Sequence, residues 1–288
     1  MVKIHLKKGD ESQFLYETPV DTPVDDVIKD VTCIYNGRLK VQRLCADIED
    51  LSLHGIVLPP NMQGLTDEQI IELKLHDEWA DKCIPSGGAI DTKDKYGRRN
   101  GKAPNKQMQE VLNKTIQGAK DMISKKKVDA NVPLTQATVT EAISILKGAV
   151  TIVYPMGLPP HDTVRHELEN TEDLSGTQAS TEIIEEPNAS LWWAGKEFLR
   201  GKKLSDFVGK NDKTKIVAKI QKKGQGAPSR EPVVSEEEQK KMMAYYYKKQ
   251  EAMKKLEADG EDSYLDAAWA DSNHLKRRFH GISNLKFR

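Results

Sequence analysis

The sequence predicts an α+β fold in which one small sheet is assembled from two stretches far apart in the chain. A large, mainly helical insertion splits the sheet, and a helical extension follows at the carboxyl end. Three observations predict this. Alternating strands and an amphipathic helix stand at the amino terminus, a long region of helical spacing follows, and good strand signals return only near residues 191 to 221. The expected boundaries are residues 1–37 with 188–223 for the split domain, 38–187 for the insertion and 224–288 for the extension.

Val2 to Leu6 alternate apolar and polar, Gly9-Asp10 supplies a turn, and Phe14 to Thr18 returns as the second strand of a hairpin. Thr22 is placed to cap a helix with Pro23 at its first position and Asp25 three residues on. Val24, Val27, Ile28, Val31 and Tyr35 make its apolar face, and Asn36-Gly37 predicts its stop. Two strands with one covered face are too little sheet to stand alone, so the remaining strands must come from elsewhere.

In the insertion, Leu39, Leu44, Ile48 and Leu51 predict a helix before the break at Leu58-Pro59-Pro60. Thr66 and Gln69 form a capping box for another, with Ile71, Leu75 and Trp79 on one side. Residues 85–104, rich in Gly, Lys and Arg, predict a loop. Met108, Leu112, Thr115, Ala119 and Ile123 give helical spacing again, up to Pro133. Val139 to Val153 fits a helix better than a strand, although Val150 to Tyr154 alone would pass as a strand.

The late strands are Leu191 to Ala194 and Lys213 to Gln221, where Ile216, Ala218 and Ile220 alternate with Val217 and Lys219. Beyond them Ser235 and Glu238 cap a charged helix with a stripe of Met242, Tyr246, Met253 and Leu256, about 35 Å long and closed near Gly260. The tail from Tyr264 carries Trp269, Phe279 and Phe287 among basic residues.

Ala194-Gly195-Lys196, followed by Gly201-Lys202-Lys203-Leu204-Ser205-Asp206-Phe207, resembles the second half of ubiquitin in order and spacing. Gly195 suits a turn with positive φ, Leu204 would plug the core, and Ser205 or Asp206 can accept from backbone donors. With the hairpin and helix, this makes the split domain a ubiquitin-like β-grasp unit. The chain departs from ubiquitin in two places. Lys222-Lys223-Gly224-Gln225-Gly226 runs on into more chain instead of ending in a conjugating diglycine, and Phe207 stands where the family usually has tyrosine. The expected role is a built-in module rather than a conjugated modifier.

Composition narrows the function. In 288 residues, 38% are hydrophobic and 31% charged, and Lys+Arg and Asp+Glu both count 44, so the chain lacks the positive field of a dedicated nucleic-acid or anionic-membrane binder. The charge is uneven, acidic from Glu167 to Glu186 and basic from Lys196 to Arg230. The basic stretch suits nucleic acid, acidic tubulin tails or the chain's own acidic segment, and the neutral total favours a protein partner or self-contact. Cys33, Cys45 and Cys83 are odd in number and without zinc or redox spacing, as for reduced thiols in a cytosolic compartment. No signal peptide or apolar run of membrane-spanning length is present, so no membrane insertion is expected and the Asn113-Lys114-Thr115 and Asn188-Ala189-Ser190 sequons are chance matches.

Chemistry finds little support. His161, His166 and Glu167 lack the HExxH spacing that sets two ligands on one helical face, so no metal is expected. Gly209-Lys210-Asn211 and Gly224-Gln225-Gly226 match no phosphate loop, and no serine or cysteine has an elbow motif, so neither cofactor nor catalytic residue is assigned. The candidate sites are partner contacts instead. On the sheet these are Trp192, whose side chain alternation turns outward opposite Leu191, with Lys196 and Lys219. On the late helix they are Met242, Tyr246 and Met253.

Several strings resemble the Kurly family of cilia- and flagella-associated proteins over essentially the whole chain. They include Gly9 to Phe14, Tyr35 to Val41, Leu58 to Thr66, Pro85 to Ala89, Val153 to Pro160, Asp173 to Ala179 and Gly224 to Pro228. The resemblance implies a cytoplasmic, basal-body-associated protein of motile cilia that acts in axonemal dynein arm assembly, with a link to planar polarity. Its partners would be dynein subunits or assembly factors. The rival expectation is an axoneme-resident structural protein docked on tubulin.

Overall fold

The computed structural model describes residues 1–229 and 236–266; Ser235 and the tail beyond Asp266, on which two of the sequence expectations fall, lie outside the described residues. The amino-terminal hairpin forms as expected from β1 (Val2–Lys8) and β2 (Glu11–Thr18). Ile4 faces Tyr16 and Leu6 faces Phe14 on the buried side, as the pleat requires.

Helix α1 (Val24–His54) departs from expectation because it runs straight through Asn36-Gly37 and absorbs the helix predicted over Leu39 to Leu51. Gly37 is used for close approach: a Cβ there would lie 2.7 Å from Val139 Cγ1. Asn36 accepts from Ile184 N at 3.2 Å and donates to Ile184 O at 2.7 Å, so its amide ties the acidic segment to the helix instead of ending it. Nor does Thr22 cap the helix. Its hydroxyl donates to Pro19 O, and the free N–H of Val24 is taken by Lys202 O at 2.8 Å. Leu204 N returns a bond to Thr22 O at 3.0 Å, so the late segment closes the helix start that a side chain would otherwise cap.

The insertion continues with α2 (Asp67–Glu72), where the Thr66–Gln69 capping box is formed. The helix is shorter than expected. Ile71 is exposed and Lys74 adopts a left-handed conformation, so Ile71, Leu75 and Trp79 share no helical side. The predicted loop over 85–104 contains a two-stranded antiparallel ribbon of β3 (Ala89–Asp91) and β4 (Lys102–Pro104). Then come α3 (Lys106–Met122), α4 (Lys126–Asp129) and α5 (Gln136–Val153), the last resolving the helix-or-strand ambiguity of Val150 to Tyr154 in favour of helix. The second half of α1 packs against α3 and α5 through Leu44, Ile48, Leu112, Ile116, Ala142 and Leu146, all in one hydrophobic cluster with the sheet's inner face. Arg38 locks this junction: only 2% exposed, it donates to Ile123 O and to Gln13 Oε1.

After α6 (Thr163–Glu169) and α7 (Gln178–Glu182) the chain re-enters the sheet through β5 (Ala189–Trp193), β6 (Lys196–Glu197), α8 (Ser205–Val208) and β7 (Lys215–Lys222). Ala194 and Gly195 both have positive φ, as a two-residue hairpin loop demands, and Gly195 meets that need without steric cost. Leu204 is fully buried, and Asp206 accepts from Lys203 N. The strand order is β2-β1-β7-β5-β6, with β1 and β7 parallel in the middle and α1 across one face, the arrangement expected of a split β-grasp sheet in an α+β chain. On its own beyond this unit runs α9 (Glu236–Asp266), which continues through Gly260 where a stop was expected and spans about 46 Å.

Candidate functional site: an outer sheet face, an exposed helix stripe and an acidic groove

Strand alternation sends Val2, Ile4, Leu6, Ile216, Ala218, Ile220 and Leu191 into the core. The other face receives Lys3, His5, Lys7, Lys215, Val217, Lys219 and Trp192. Trp192 sits there half-buried, beside Lys219 in the register, and its indole N–H donates to Ser190 Oγ at 3.2 Å. Trp193 turns inward and stacks at 6.5 Å on Phe198, which in turn meets Phe207 at 5.0 Å, so the aromatic ring of Phe207 is used without a hydroxyl. Lys196 is exposed on β6.

Lys219 is placed differently from a surface contact. It is 8% exposed, and its ammonium donates to Asp10 Oδ1 at 3.1 Å and to Ser229 O at 2.9 Å, so the segment after β7 folds back over it. Its charge is spent inside the chain. At the β2 side the same face is covered: Leu15 is fully buried, and Leu134 N donates to Leu15 O at 2.7 Å.

On α9, Met242, Tyr246 and Met253 are 50%, 63% and 57% exposed, and Leu256 continues the stripe at 70%. Tyr245 and Tyr247 are equally open, so the apolar surface of this helix is unburied along most of its described length.

The acidic segment pairs mainly with α1 and α6 rather than with the basic stretch. Both oxygens of Glu172 accept from Arg43 Nη2, at 2.9 and 3.1 Å, and Glu169 pairs with Arg165 at 3.0 Å. Arg200 reaches the carbonyl of Glu186 and the carboxylate of Asp25. The histidines considered as ligands are engaged separately, His161 with Val57 O and His166 with Thr171 Oγ1. Among the described residues no three His, Cys, Asp or Glu side chains converge as metal ligands. No described helix is long and apolar enough to cross a membrane.

Sequence reasoning missed a groove of about 520 Å³ lined by Arg43, Ala46 and Asp47 of α1, by Thr163, His166 and Glu167 of α6, and by the turn from Thr171 to Leu174. Glu167 lies in its wall, 6% exposed. Its nearer oxygen is 3.6 Å from Arg43 Nε and its other oxygen lacks any hydrogen-bond partner. Burial, followed by the neighbouring carboxylates Asp47 and Glu172, pushes the Glu167 carboxyl up to about 8. Burial likewise raises Asp47, against a bond from Thr163. Only the pairing of His166 with Glu167 in the acidic run hinted at this place. The other members come from segments whose meeting depends on the tertiary fold.

The whole chain aligns with known proteins. It is 61% identical over 288 residues to cilia- and flagella-associated protein 298-A of Xenopus laevis, covering 100% of this chain and 99% of the relative. Cilia- and flagella-associated protein 298 of Homo sapiens is 60% identical and that of Drosophila melanogaster 51%, with the same coverage. This chain belongs to the cilia- and flagella-associated protein 298 family. The family's own sequence model matches residues 189–285, which begin at β5 and take in β7 and α9. The family is also called Kurly, so the resemblance read from the strings above is confirmed, and its name ties the chain to cilia and flagella. No solved structure matches the chain.

Proposed function

We propose that this member of the family is a non-enzymatic scaffold or adaptor for motile cilia that acts in the assembly of axonemal outer dynein arms. It would work in the cytoplasm and at the basal body, with cilium positioning and planar polarity as a further role. The observation that carries the reading is identity of 60% over the full length to a protein named for its association with cilia and flagella. The described surface is suited to holding proteins: an exposed Met/Tyr stripe on α9 and a half-buried Trp192 on the outer face of the sheet are the kinds of group that anchor partners. The ubiquitin-like sheet then serves as a built-in module, its last strand continuing into chain rather than a free tail. Dynein subunits or co-assembly factors are the partners this reading requires.

Loss of the chain from ciliating cells tests it. Cilia should still form and lack outer arms in cross-section; normal arms would overturn the reading. A second reading, an axoneme-resident protein docked on tubulin, draws on the exposed Lys196, Lys202, Lys203, Lys210, Lys213 and Lys215, a basic set suited to acidic tubulin tails. Stoichiometric, salt-extractable protein in purified axonemes would favour it over assembly in the cytoplasm.

A further inference from the structure

The Glu167 groove has the chemistry of a receptor for one positive charge on an apolar stem. Its walls include Ala46, Leu174 and Ala179, and its charged members are Asp47, Glu167, Glu172 and Asp173 against Arg43. Arg43 cannot satisfy all of them, because its Nη2 already serves both oxygens of Glu172 while its Nε stands 3.6 Å from Glu167 and is itself unpartnered. One oxygen of a carboxyl group 94% removed from solvent is left without a hydrogen-bond partner. A buried acceptor in that state costs more than the same group paired, so a donor brought by a ligand recovers the difference.

The nature of the donor follows from the surroundings. A metal ion is disfavoured, since no three suitable ligands converge among the described residues. An anion would meet three or four carboxylates. An ammonium or guanidinium at the end of a methylene stem fits both parts of the groove, its head on Glu167 and its stem along the apolar wall. A volume of about 520 Å³ leaves ample room for such a side chain with its flanking residues.

We infer that this groove between α1, α6 and the 171–174 turn is a docking site for a lysine or arginine side chain of a partner polypeptide, received by Glu167. The inference rests on the scaffold reading and adds the partner chemistry that the reading leaves unspecified. It also separates two uses of charge in the chain. The basic stretch is suited to acidic surfaces, whereas this groove is suited to a basic one.

The test uses the full chain and three short probes, acetyl-Leu-Lys-Leu-amide, its arginine counterpart and its neutral norleucine counterpart. Binding is followed by NMR shifts of the groove amides Thr163, His166, Thr171 and Leu174. Saturable shifts are expected with either cationic probe, and binding about tenfold or more weaker with norleucine. Glu167→Gln, which keeps the shape, should remove the preference for charge. Glu172→Gln should weaken binding too, by freeing Arg43 to turn to Glu167. Equal affinity for charged and neutral probes, absence of binding, or a Glu167→Gln chain that retains the preference would overturn the inference. Thermal unfolding of both variants shows that they fold. Because the titration is done on the isolated chain, its failure would leave the dynein-arm phenotype untouched, and failure of that phenotype would leave the titration untouched.

Discussion

Ile4 of β1 lies beside Ile216 of β7 in parallel register, so the sheet is closed by residues from near the two ends of the 1–229 unit. Both are buried, at 0% and 3% exposure, against the first half of α1. The amino-terminal hairpin therefore depends on a strand made some two hundred residues later, and a long loop adds only slowly to the entropy of such closure.

Ile216→Ala should destabilise the whole unit by about 2–5 kcal/mol, in the range for truncating a large buried aliphatic side chain. Urea unfolding checks this. Removing residues 191–221 should go further and abolish exchange protection of the β1 amides, since β1 would lose the strand that pairs its inner edge. Protected β1 amides in the shortened chain would contradict the closure.

Gly37→Ala should cost about 1–3 kcal/mol, although alanine is the better helix former by about 1 kcal/mol, because its methyl would press on Val139 at 2.7 Å. Adding Val139→Ala should recover part of that loss. A double-mutant cycle in urea measures the coupling, and additive losses would show that the two sites do not touch.

This glycine also shows where sequence legibility ends. Asn36-Gly37 has the composition of a helix stop, yet what those residues satisfy is tertiary: a close approach by α5 and a bond to Ile184. Where the signal is local the sequence was a good guide, as in the hairpin, the Thr66–Gln69 box, the Ala194-Gly195 turn and the buried Leu204. The groove was unreadable for the opposite reason. Arg43, Glu167 and Glu172 look like ordinary surface charges until the fold takes water away from Glu167. The ribbon of β3 and β4 was equally hidden, since the three side chains of β3 are exposed and the short Lys-Ala-Pro of β4 carries no apolar alternation.

Glu167 makes stability depend on pH in an unusual direction. Its carboxyl is raised to about 8 when folded, against an unfolded value near 4.5, so the folded chain holds the extra proton between those values. Its contribution is full below about pH 4.5 and is lost as pH rises towards 8. Glu167→Gln should cancel that loss, so that its advantage over the parent chain grows by roughly 2–4 kcal/mol from pH 5 to pH 9. Parallel stability curves for the two chains, from urea titrations at each pH, would contradict the assignment.

The three thiols should react unequally in the native chain. Cys33 is exposed on α1, whereas Cys45 and Cys83 are buried, and burial pushes the Cys45 thiol up to about 11 and the Cys83 thiol upward as well. A thiol-specific colour reagent at pH 8 should modify Cys33 first, with Cys45 and Cys83 following only on denaturation. Peptide mapping identifies the site.

The scaffold reading is tested most directly by proximity labelling in ciliating cells with the full chain, with Trp192→Ala and with a chain ending before Ser235, all at matched expression. Dynein subunits or their assembly factors are expected among the proteins labelled by the full chain, with their depletion when Trp192 or the α9 stripe is removed. Recovery of the same partners by all three chains would contradict it.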